Sequence, residues 1–123
     1  MGYYMSQRET AFRLKNGKDE EILNAIKKAV NDEKVCSWVN KKRINSCKTF
    51  VEALSECRWE YYKDDSSLWF DGEKLGNDYE LFCAIAPYVE DESYIEMSGE
   101  DGCIWRWVFK NGKCKEIYPV IIW

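Results

Sequence analysis

YIEMSGEDGCIWRWVFKNGKCKEIYPVIIW, residues 94–123, decides the fold, because two turn signals cut it into three runs. Gly99-Glu100-Asp101-Gly102 separates Tyr94–Ser98 from Cys103–Lys110, and Asn111-Gly112 separates that run from the last one. Asn-Gly and Asp-Gly favour tight hairpins because their residues tolerate positive φ. Between the turns Cys103, Trp105, Trp107 and Phe109 alternate with Ile104, Arg106, Val108 and Lys110, a period of two. This predicts a three-stranded antiparallel meander with Cys103 and the aromatic rings facing inward. Arg106 then faces outward, paired with Glu96 or Glu116 across the ladder. The apolar end Val120–Trp123 predicts a central strand buried on both faces, with a bulge at Pro119, which has no N–H to give.

Working outward, Glu90-Asp91-Glu92 leads into the meander from a helix begun by Asn77 as N-cap, with Glu80 in the capping-box position. Leu81, Phe82, Ile85 and Val89 line it, and Pro87 is expected to break it. Trp59–Lys63 and Ser67–Phe70 form a hairpin around Asp64-Asp65-Ser66-Ser67. Thr49-Phe50-Val51-Glu52 is a capping box opening a helix with the stripe Phe50, Ala53, Leu54, Cys57. Asn31–Lys48 reads as either a short helix or an irregular loop anchored by Val35, Trp38 and Val39, with Lys41-Lys42-Arg43 as a basic cluster in solvent. Asp19-Glu20-Glu21 opens an earlier helix, acids being favoured at its positive end, with the stripe Ile22, Leu23, Ile26, Ala29, Val30. Thr10–Leu14, closed by Asn16-Gly17, reads as the first strand. The chain of 123 residues is therefore expected to form one α+β domain, residues 1–123. It would hold a mostly antiparallel sheet, the meander plus the hairpin, with about three helices on one face.

Aromatic residues make up 15% of the chain, enough to build a core without staples. The six cysteines are Cys36, Cys47, Cys57, Cys83, Cys103 and Cys114; no C-x-x-C spacing occurs, and they read as reduced core thiols. No apolar run reaches the roughly 20 residues of a bilayer span. No charged n-region with an apolar stretch opens the sequence, so a cytoplasmic protein is expected. Histidine is absent, which removes Ser-His-Asp and Cys-His pairs and histidine-ligated metals. No catalytic residue, cofactor or metal is assigned, although Glu100 and Asp101 with Glu96 have the chemistry of a hard-cation loop.

Charge is unevenly spread. Residues 1–51 carry eleven basic and six acidic residues, whereas residues 52–101 carry fifteen acidic and three basic. The acids fall at turns and helix starts, which lie at surfaces. Asp64, Asp65, Asp71, Glu73, Asp78, Glu80, Glu100 and Asp101 are the candidate partner-binding residues, an electronegative face for a protein with a basic surface. Such a chain should not bind nucleic acid directly, since like charges repel. The alternative is a small-molecule module or a carboxylate-based enzyme, which requires an enclosed pocket with Tyr or Trp and a buried carboxylate. Oligomeric state is left open.

Met1-Gly2-Tyr3-Tyr4, Phe70-Asp71-Gly72-Glu73-Lys74-Leu75-Gly76, Ala84-Ile85-Ala86-Pro87-Tyr88-Val89 and Ser98-Gly99-Glu100-Asp101-Gly102 before Trp105-Arg106-Trp107 resemble small proteins of low-GC Gram-positive bacteria and of their phages and mobile elements. The resemblance carries no catalytic residues. It implies a setting in which small acidic proteins inhibit host defence or nucleic-acid-handling factors, and hence a place in the host cytoplasm.

Overall fold

Seven residues at the start of the chain, Met5–Ala11, form strand β1, which pairs antiparallel with β4, Tyr94–Gly99. The computed structural model describes residues 3–32 and 39–120. β4 pairs with β5, Ile104–Lys110, and β5 with β6, Lys113–Ile117, giving the sheet order β1-β4-β5-β6. β2, Trp59–Tyr62, and β3, Ser67–Phe70, make a separate hairpin. The helices among the described residues are α1 (Asp19–Asn31), α2 (Lys41–Ser46), α3 (Phe50–Glu56) and α4 (Asp78–Ile85). The fold is α+β, and none of these helices is long and apolar enough to cross a membrane.

The meander follows its sequence logic. Asn111 (φ 54°) and Gly112 (φ 75°) both take the left-handed conformation that a two-residue hairpin requires. Trp105, Trp107 and Phe109 are buried while Ile104, Arg106 and Val108 are half-buried on the other face. Phe82 of α4 inserts among four rings of the sheet side, 5.0 Å from Trp59, 5.4 Å from Trp107, 6.0 Å from Phe12 and 6.1 Å from Phe109 between centroids. Such edge-on and tilted pairs add about 0.5–1.5 kcal/mol each beyond their burial. The α1 stripe is buried as expected, and the Thr49–Glu52 capping box is formed at α3.

The hairpin is not isolated. Met5 N donates to Glu73 O (2.9 Å), Leu75 N to Tyr3 O (2.7 Å), and Tyr4 makes an antiparallel bridge with Lys74. Gln7 completes the seam with its side chain: Nε2 donates to Leu68 O (2.8 Å) and Oε1 accepts from Phe70 N (2.7 Å). The two sheets thus run on as one antiparallel surface, β2-β3-β1-β4-β5-β6, with helices against the inner face.

Several expectations are corrected. The first strand lies earlier than Thr10–Leu14; Leu14 makes only a single bridge, with Val89. A register shift between Gln7 and Thr10 breaks the alternation there, so the polar run Ser6–Glu9 does not look like a strand in sequence. Of the two readings open for Asn31–Lys48, a short helix is present as α2, whose first turn is capped by the Asn40 side chain accepting from Arg43 N (3.2 Å). Asn77 makes no side-chain cap on α4. Pro87 does end the helix, which passes into a 3-10 turn at Ala86–Tyr88. Cys103 precedes β5 and is exposed. β6 stops at Ile117 and is an edge strand, not a central one; Val120 is 82% exposed. Val35, Cys36, Trp38 and residues 121–123 lie outside the described residues.

Candidate functional site

Three chain segments meet at the end of the sheet where β1 begins. Residues 73–75 bond to one side of Tyr3–Met5, and Glu100 N donates to Tyr4 O (2.9 Å) on the other. Gly99 makes the approach possible: a Cβ there would lie 1.6 Å from the Tyr3 hydroxyl oxygen. Free of that clash, the Tyr3 hydroxyl donates to Asp101 Oδ1. This bond, before any other cause, holds the Asp101 carboxyl below its usual range and pushes the Tyr3 phenol up to about 12. Asp101 also accepts from Cys103 N (3.1 Å), and Glu100 Oε1 accepts from Tyr4 N (3.0 Å). The partners of both carboxylates are thus neutral donors, which fix the side chains and leave their charge in place. Tyr4 and Leu75 are 46% and 39% exposed, and Lys74 Nζ sits 5.3 Å from the Tyr4 ring centroid.

Glu73, Glu100 and Asp101 are thus brought to one sheet end by the backbone pairing of Tyr3–Met5, with Asp71 just before Glu73 in the chain and the Lys74 ammonium over the Tyr4 ring. Asp64 and Asp65 are exposed too, but they precede β3 whereas Asp71 and Glu73 follow it, so they lie at the other end of the hairpin. There Asp65 accepts from the Ser67 hydroxyl (2.7 Å) and shares an open cleft of about 390 Å³ with Arg13, Glu90, Asp91 and Glu92. Arg13 pairs with Glu90 at 3.9 Å, which partly neutralises that end, while Asp91 accepts from the neutral Asn111 N–H and keeps its charge. Glu80 is exposed in the helix layer.

Asp78 is not a surface residue. It is 2% exposed, accepting from Trp59 Nε1 (2.8 Å) through Oδ1 and from Gly76 N (2.8 Å) through Oδ2. Burial is the first cause of its raised pKa, opposed by those hydrogen bonds. The small-molecule reading needs such a carboxylate in an enclosed pocket. Asp78 lines neither of two large clefts, about 720 and 620 Å³, which are open troughs edged by Asp19, Glu20 and Lys63.

The outward face of the sheet carries a second charged row that sequence pairing rules partly find. Glu96 accepts from Arg106 Nε (2.7 Å) and from Arg8 Nε (2.9 Å), linking β1, β4 and β5. The Arg106 guanidinium lies 4.2 Å from the Tyr94 ring centroid, and the Tyr94 hydroxyl donates to Glu9 (2.6 Å). Glu96 is thus committed to two arginines and does not join Glu100 and Asp101 in a cation loop. Its pKa is lowered, first by the Arg106 hydrogen bond and then by that from Arg8. A depressed carboxylate stabilises the fold above its unfolded value and loses that contribution as pH falls through the folded one. Both arginines are well exposed, so the expected size is under about 1 kcal/mol. Thermal melts of wild type and Glu96→Gln should converge as pH drops below about 4.5 and separate at pH 7. A constant gap across that range contradicts the assignment.

Tyr3, Tyr4 and Leu75 were not marked as site residues by the sequence. The available signal was the doubled tyrosine beside polar Ser6–Glu9, but only the sheet register places it against residues 99–101. No family model matches the chain, and no curated protein or solved structure matches it either.

Proposed function

We propose that this chain is a small acidic interaction protein that docks a basic protein surface, in the manner of phage or mobile-element inhibitors of bacterial defence or nucleic-acid-handling factors. The docking face is the sheet end formed by Tyr4, Leu75, Glu73, Glu100 and Asp101. One observation supports the reading: segments 3–5, 73–75 and 99–101 converge, bringing Glu73, Glu100 and Asp101, far apart in sequence, to the sheet end that carries the exposed Tyr4. An aromatic centre with a charged rim is the anatomy of a protein interface. The carboxylates give register and association rate to an oppositely charged partner and repel a phosphate backbone.

The triple variant Glu73→Gln, Glu100→Gln, Asp101→Asn keeps the acceptor oxygens and removes three charges. It is expected to weaken partner capture from bacterial lysate about tenfold, or about 1.4 kcal/mol, at low salt. Its melting temperature should stay near that of wild type. Wild-type capture should fall steeply as salt is raised. Undiminished capture by the triple variant, with no salt dependence, rules this face out.

A further inference from the structure

We propose that Cys83 of α4 and Cys114 of β6 form a disulfide on oxidation, fastening the helix to the free edge of the sheet. The register explains why they meet. Cys114 lies opposite Phe109, and Lys110 opposite Lys113 closes the two-residue turn. Hydrogen-bonded pairs alternate from that closing pair, so the Cys114 carbonyl points away from β5 toward the open edge. α4 covers it: the Tyr79 hydroxyl donates to Cys114 O at 3.2 Å, and Cys83 Sγ stands 4.0 Å from the same oxygen. The Cys114 side chain is buried beneath this helix, and the two thiols lie within interaction range of each other. Cys83 is half-buried and Cys114 is 7% exposed, so an oxidant meets Cys83 first.

With glutathione disulfide as oxidant the steps balance. The Cys83 thiolate attacks one glutathione sulfur and expels a glutathione thiolate. Cys114 then gives up its proton and attacks the Cys83 sulfur, expelling the second. Two protein thiols are oxidised by two electrons, and one glutathione disulfide becomes two glutathiones that take up both protons. Burial raises both thiol pKa values, so the reaction is slow at neutral pH and faster in mild alkali.

The test is to incubate the folded protein with excess glutathione disulfide at pH 8 and map its peptides by mass spectrometry. The expected product is a Cys83–Cys114 cross-linked peptide, about 2 Da below the sum of the reduced peptides. The closed loop of about thirty residues should raise the melting temperature by roughly 5–10 °C, reversed by dithiothreitol. Cys83→Ser, which keeps a hydroxyl toward Cys114 O, should lose the rise and melt near reduced wild type. The proposal is overturned if Cys83 stops as a mixed disulfide with Cys114 unreacted. It is equally overturned if Cys83 stays reduced once exposed Cys103 is fully modified.

Discussion

Cutting Asp78 back to alanine should lower the unfolding free energy by about 2–4 kcal/mol, since each buried donor left without an acceptor costs about 1–3 kcal/mol. Two donors are orphaned at once: Trp59 Nε1, on a ring with no exposed surface, and Gly76 N. Removing a buried carboxylate refunds part of that loss, which keeps the expected value below the sum. Asp78→Asn separates the two effects. Its oxygen still accepts from Trp59, but its amide nitrogen meets the Gly76 N–H donor to donor, a cost of about 1–2 kcal/mol. The pH dependence gives a second reading. The folded pKa of Asp78 lies above its ordinary value near 3.8, so the native state binds its proton more tightly than the unfolded chain does. The stability it supplies is full below that ordinary value and is lost as pH rises through the folded one. Urea titrations at pH 4, 5.5 and 7 should therefore show the wild-type advantage over Asp78→Asn shrinking as pH climbs. A gap that widens with pH, or an alanine variant within about 0.5 kcal/mol of wild type, would show that the carboxylate does not hold the Trp59 ring.

Asp78 also shows where sequence reading stops. An acid at a helix start is ordinarily a solvated residue favoured by the helix dipole. Yet Asp78, Leu81, Phe82 and Ile85 stand at i, i+3, i+4 and i+7 and are all buried, so the acid occupies the first place of the apolar stripe. That spacing was visible; the indole waiting on β2 was not. The meander was legible because its turns need positive φ and its core face needs alternating large rings, both local demands. The acidic face was legible only as composition. Glu73 and Glu100 lie far apart in sequence, and what joins them is the pairing of Tyr3–Met5 with both neighbours, a long-range fact that no local pattern encodes. The β6 edge was misread for a related reason: the apolar residues after Ile117 suggested burial, whereas Ile117, Tyr118 and Val120 remain exposed.

Gln7→Ala should cost about 2–3 kcal/mol and act at one seam, the join between the hairpin and the larger sheet. The Gln7 amide stands in for a peptide group. Oε1 takes the Phe70 N–H at 2.7 Å, while Nε2 serves Leu68 O at 2.8 Å and Thr10 Oγ1 at 2.6 Å. The side chain fills this role beside a register shift in the β1–β4 ladder, between Gln7 and Thr10. In the alanine variant the Phe70 N–H should lose hydrogen-exchange protection more than the β4–β5 amides, reporting local opening of the hairpin. Gln7→Glu tests the donor half alone. Its carboxylate still accepts from Phe70 N but turns an acceptor toward Leu68 O, so the variant should be destabilised at pH 7. Protonation restores a donor, and the glutamate variant should regain stability as pH falls toward 4, whereas the alanine variant should not. If the two variants instead track each other across that range, the amide is not the link between the sheets. The hairpin side of the acidic end would then be held by the backbone bonds between Tyr3–Met5 and residues 73–75.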